Sequence, residues 1–120
     1  MPPRFVLRQY GKENFVFTLT ASDQEVILIS QVYPDKASAL KGINSVRGNA
    51  RKEDHYLLRT AVNGQLYFVL ESAKMGVLGQ SKLYADMESL QKGLTSVKRS
   101  ALAAKLEDWT GGNVPLKHKR

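Results

Sequence analysis

Two segments of the chain alternate apolar and polar side chains with a period of two. In Phe15-Val16-Phe17-Thr18-Leu19-Thr20, the residues Phe15, Phe17 and Leu19 share one face, and Leu66, Phe68 and Leu70 repeat that arrangement. This period predicts strands with one face turned to a core. Shorter apolar runs, Phe5-Val6-Leu7-Arg8 and Tyr56-Leu57-Leu58-Arg59, predict a strand ahead of each, and residues 25–30 and 76–81 predict a strand behind. Turn residues separate them at 11–14 and at Asn63-Gly64, the latter suited to a type I′ hairpin. The spacing then changes. Ala39, Leu40, Ile43, Val46 and Ala50, and later Leu90, Leu94, Val97 and Ala101, recur at helical intervals, so one helix follows each run of three strands. Asp35 and Asp86 stand where an N-cap carboxylate accepts bonds from the first free N–H groups of each helix.

These two stretches are copies of each other. A shift of 51 positions aligns residues 4–50 with 55–101 without a gap, and about fourteen of the forty-seven pairs are identical. The retained residues include Leu7/Leu58, Arg8/Arg59, Phe17/Phe68, Ser30/Ser81, Tyr33/Tyr84, Asp35/Asp86, Lys41/Lys92, Gly42/Gly93 and Ser45/Ser96. Glycine inside a helix costs about 1 kcal/mol, so its recurrence at 42 and 93 predicts a close approach of each helix to the sheet. A further shift of 51 places Lys105-Leu106-Glu107-Asp108-Trp109-Thr110 where a third copy would begin. The expectation is an α+β fold: a tandem duplication of a β(3)-α-β unit, with antiparallel sheet or sheets, one helix per repeat and a pseudo-twofold relation. The repeats fall at 1–53 and 54–110, followed by a basic, disordered tail over 111–120.

The string Ser30-x-x-Tyr33, Gly42-Ile43-x-Ser45-Val46, echoed by Ser81-x-x-Tyr84 and Gly93-Leu94-x-Ser96-Val97, resembles the YegP-like family of small, mostly bacterial proteins. The resemblance covers roughly residues 4–110 and implies a tandem β3αβ fold. It implies no catalytic residue and no cofactor. This chain departs from the family pattern between the second and third strands. There Asn-Gly is usual, and Asp23-Gln24-Glu25 and Lys74-Met75-Gly76 stand instead.

Charge changes the picture only slightly. The net charge is +7, and Lys117, Lys119 and Arg120 contribute to it from the tail. The rest concentrates on the helices, where Lys41, Arg47, Lys92, Lys98 and Arg99 are candidate contacts for nucleic acid. Tyr67, which lies on the strand face opposite Phe68, is a candidate exposed contact for a partner of either kind. The chain has no cysteine and two histidines, His55 and His118, neither with a neighbouring ligand, so no metal site is expected. The repeated serines have no repeated histidine to act as base, and the repeated aspartates are separated rather than paired. The tyrosines at 33 and 84 are expected to pack on the core with the hydroxyl bonded at the helix start. With no long apolar run, no membrane contact is expected and the location is taken as cytoplasmic. The sequence thus points to a non-enzymatic protein-interaction or self-associating module without cofactor, with nucleic-acid binding as the alternative.

Overall fold

The computed structural model describes residues 1–110; the tail expected over 111–120 lies outside the described residues. The strands are β1 (Arg4–Gln9), β2 (Phe15–Thr20), β3 (Val26–Ser30), β4 (Tyr56–Thr60), β5 (Leu66–Ser72), β6 (Gly76–Gln80) and β7 (Lys105–Trp109). The helices are α1 (Lys36–Asn49), between β3 and β4, and α2 (Met87–Ala103), between β6 and β7. All seven strands form one sheet in the order β4-β5-β6-β3-β2-β1-β7. The strands β1–β3 and β4–β6 form two equivalent blocks that meet where Ile29 faces Gln80 and Ser30 faces Gly79 across β3 and β6, and β7 lies outside β1.

The sheet is mixed, which corrects the antiparallel expectation. β1 pairs with β2 antiparallel and with β7 parallel. A hairpin can return the chain only in the opposite direction, whereas a helical crossover can carry it to a distant position. From β6, α2 carries the chain past β3, β2 and β1 to the far edge. From β3, α1 likewise carries it past β6 and β5 to β4. The two copies are therefore interlocked, each crossover spanning strands of the other.

Both helices pack on one face of the sheet over a single core. Phe5, Leu7, Phe17 and Leu19 from one half and Phe68, Leu70 and Leu78 from the other meet Ala39, Ile43, Val46, Leu90, Leu94 and Val97. Phe17 is 0% and Phe68 1% exposed, so each contributes roughly 2 kcal/mol by burial. Asp35 and Asp86 cap the helices as expected, accepting from the backbone N–H of Ser38 at 2.7 Å and Ser89 at 2.8 Å.

Two glycines explain how the helices come so close. A Cβ on Gly42 would lie 2.5 Å from the Tyr33 hydroxyl, and a Cβ on Gly93 would meet the Tyr84 hydroxyl more closely still. Each tyrosine ring slides under its helix and stacks on the core phenylalanine of its copy, Tyr33 on Phe17 at 6.0 Å and Tyr84 on Phe68 at 6.3 Å. The expected hydroxyl bond at the helix start is not made. Both hydroxyls are buried without a protein partner, because the glycine leaves room for the ring but offers no acceptor.

The repeated serines have a backbone role. Ser30 Oγ accepts from Phe17 N at 2.9 Å and donates to Gln31 O, and Ser81 Oγ does the same for Phe68 N and Lys82 O. The Asn63-Gly64 turn differs from the expected type I′ geometry. Only Gly64 has positive φ there, Gly64 N bonds Ala61 O, and Ala61 N bonds Gln65 O. That is a three-residue loop closed by a glycine bulge. Residues 21–25 form the same hydrogen-bond pattern, with Gln24 at φ 73° in the glycine's place.

Candidate functional site

The six contact candidates separate into four places. Lys41 lies in a 620 Å³ groove beside α1, which Lys52 and Lys74 also line together with Asn44, Ser45 and Asn49. No carboxylate lines that groove, and none of its three lysines has an ion-pair partner among the described residues. Lys92 and Arg99 lie in a 640 Å³ groove beside α2, which also contains Glu88, 4.0 Å from Lys92. These two grooves occupy equivalent positions in the duplication but differ in charge. Asp23, close to the second groove, corresponds to Lys74 in the first, and Glu88 corresponds to Ala37.

Arg47 and Lys98 are turned inward to join the copies. Arg47 donates to Ala104 O at 2.7 Å and Ala101 O at 3.3 Å, and its guanidinium lies 4.8 Å over the Phe5 ring. Cations placed at a helix C-terminus meet its free carbonyls and the negative end of its dipole. Lys98, the equivalent of Arg47, pairs with Glu53, the equivalent of Ala104. The contact is reciprocal in position and different in chemistry.

Tyr67 sits on the other face of the sheet, which carries no helix among the described residues. It is half-buried and lies directly across from Arg59 of β4. On the equivalent strand, Arg8 lies across from Val16 and beside Trp109 of β7, with its guanidinium 4.5 Å over the indole. The nearby Arg4 binds Glu107 at 3.0 Å.

The strand β4, expected from Tyr56-Leu57-Leu58-Arg59, carries none of the six contact candidates. It ends the sheet, paired with β5 on one side and with nothing described on the other. The signal for it was present in the duplication: the segment at Lys105 aligns with β1 and β4 alike, and only one position can receive it. Among the described residues no group of His, Cys, Asp or Glu is placed to hold a metal ion, and no helix is long and apolar enough to cross a membrane. Two pairs of repeated groups shift through packing and capping. Burial raises Tyr33 and Tyr84, while the Ser38 and Ser89 backbone bonds, then their side-chain bonds, lower Asp35 and Asp86.

Comparison with known proteins agrees with this architecture. The model of a domain of unknown function, DUF1508, matches twice, at residues 12–56 and 61–108. The UPF0339 protein YegP of Shigella flexneri is 41% identical over 106 residues, covering 88% of this chain and 96% of the relative. A UPF0339 protein of Pseudomonas aeruginosa is 40% identical over 108 residues, covering 90% and 98%. The solution structure of yegP from E. coli, described as a protein of unknown function, superimposes with a TM-score of 0.87 at 40% identity, covering 94% of this chain and 97% of that one. A UPF0339 protein from Shewanella oneidensis gives 0.84 at 32% identity, covering 92% and 93%. With two matches that together span most of its length and relatives aligned almost end to end, the chain belongs to the DUF1508 family, the UPF0339 YegP proteins.

Proposed function

We propose that this chain is a non-enzymatic interaction module, a pseudo-twofold pair of β3αβ units that takes up a protein partner by strand addition at β4. One observation carries the reading: β1 is covered on its outer side by β7, while β4, its equivalent in the duplication, ends the sheet. An edge strand exposes backbone donors and acceptors that a partner strand satisfies, and the neighbouring side chains supply selectivity. The absence of a repeated base beside Ser30 and Ser81, and their use in backbone bonding, support a role without catalysis. A photoreactive side chain placed at Thr60 in living cells tests the reading. A discrete adduct is expected, and it should disappear when Leu58→Lys charges the edge. An adduct pattern indifferent to Leu58→Lys would overturn strand addition.

The second reading, nucleic-acid binding, is favoured by the groove that brings Lys41, Lys52 and Lys74 together without a carboxylate. Each phosphate contact of this kind adds a salt-dependent increment to affinity. A gel shift at low salt that weakens in Lys41→Gln and Lys74→Gln supports it. No retardation at low salt removes it.

A further inference from the structure

The β1–β7 pair is a template for what β4 lacks. Leu7 and Leu58 are the same residue at equivalent positions, Leu7 across from Phe17 and Leu58 across from Phe68. Yet Leu7 is 0% exposed and Leu58 51%. The neighbours follow suit: Phe5 and Val6 are buried, while Tyr56 and Leu57 are only half-buried. What differs at the two sites is the covering strand. β7 lies on β1 in parallel register, with Asp108 beside Leu7 and Trp109 beside Arg8.

The two positions also differ in the chemistry they offer an incoming strand. Asp108 is held by Lys36, the first residue of α1. The equivalent of Lys36 is Met87, the first residue of α2, and it is 45% exposed. A carboxylate suits the first site and an apolar side chain the second. Arg8 lies beneath Trp109, whereas its equivalent Arg59 is exposed and has no ion pair among the described residues. Arg4 binds Glu107, but its equivalent His55 has a ring nitrogen engaged with Asn49, so no carboxylate is called for there. A second copy of this chain would bring another net charge of +7 to an edge already carrying Arg59.

Resting on the strand-addition reading, we infer that β4 receives an extended segment of another protein, parallel to it. That segment places an apolar residue over Leu58 and Met87 and, next in sequence, an aromatic residue over Arg59. The apolar residue covers side chains that β7 covers in the other half, and the aromatic ring reproduces the Arg8–Trp109 stack.

The test is a capped hexapeptide with the sequence of residues 105–110 carrying Asp108→Leu, titrated into the ¹⁵N-labelled full chain. Amide shifts should concentrate in Tyr56–Thr60, with a shift of the Met87 methyl. The parent peptide, which keeps the aspartate, should bind about tenfold more weakly, and Arg59→Ser in the protein should weaken the leucine peptide about fivefold. Equal binding of the two peptides, or shifts confined to β1, would overturn the assigned chemistry. If neither peptide binds but the chain dimerises in sedimentation with its β4 amides protected, the chemistry falls and strand addition stands with a second copy as occupant. If neither occurs, both fall.

Discussion

The hydroxyl of Tyr33 lies 2.5 Å from the point where a Cβ on Gly42 would stand, and the ring carbon bearing that hydroxyl is 2.7 Å from the same point. The tyrosine cannot move aside, since its ring stacks on Phe17 and its backbone bonds Phe15 in both directions. Gly42→Ala should therefore destabilise the protein by about 2 kcal/mol despite the better helix propensity of alanine, because overpacking outweighs propensity. Chemical denaturation measures it. A stability equal to or above the parent would show that the helix can lift off the ring at little cost.

Tyr33→Phe and Tyr84→Phe test the unpartnered hydroxyls. Each removes a buried polar group without a protein partner, so stability should hold or rise by up to about 1 kcal/mol. A loss of more than that in the same denaturation experiment would mean that the hydroxyls make an essential bond.

Gln24, in the turn between β2 and β3, adopts the left-handed conformation that Gly64 supplies in the turn of the same hydrogen-bond pattern between β4 and β5. Holding a side chain there costs roughly 1 kcal/mol relative to glycine. Gln24→Gly should raise the melting temperature, while Gly64→Gln should lower it. The two shifts, measured side by side, report the same backbone constraint with opposite sign.

Arg47 and Lys98 occupy equivalent positions but should respond differently to removal. Arg47→Ala deprives two carbonyls at the end of α2 of a charged donor in a half-buried setting and should cost about 2 kcal/mol. Lys98→Ala removes an ion pair whose Glu53 partner is largely exposed, worth about 0.5 kcal/mol. Similar losses for both would argue that Lys98 does more than pair with Glu53.

The capping aspartates set the acid side of the stability profile. Their backbone bonds lower the carboxyl pKa of Asp35 and Asp86 in the folded chain, below the ordinary 3.8. A depressed folded pKa means that the folded state holds the proton less tightly than the unfolded chain. The capping contribution is thus present above the ordinary carboxylate range and is lost as pH falls through the folded values. The Asp35→Asn, Asp86→Asn double variant should show a flatter decline in melting temperature between about pH 5 and 3.

Much of this was legible in the sequence because the duplication supplied an internal comparison. The alternation of Phe15, Phe17 and Leu19 located a core strand, and the recurrence of Gly42 and Gly93 located the tight helix contacts. The long-range pairing was not legible. Nothing local in Lys105–Trp109 says that it lies parallel to β1 rather than extending a second hairpin, because that choice is made by the path of α2 across the sheet. The contact candidates met the same limit. A lysine on a helix and an arginine on a helix look alike until the packing turns Arg47 toward the end of α2 and leaves Lys41 in a groove.

The parallel pairing of β7 with β1 also fixes when folding can finish. Arg4 meets Glu107 across 103 residues of chain, so the first strand made waits for the last one described. At a synthesis rate of about 5–20 residues per second, β1 spends on the order of 5–20 s without its outer neighbour. During that interval the nascent chain has a vacant edge at β1 as well as the one it keeps at β4. The arrival of β7 then moves that end of the sheet one strand outward, so that among the described residues the finished sheet ends on β7 at one side and β4 at the other.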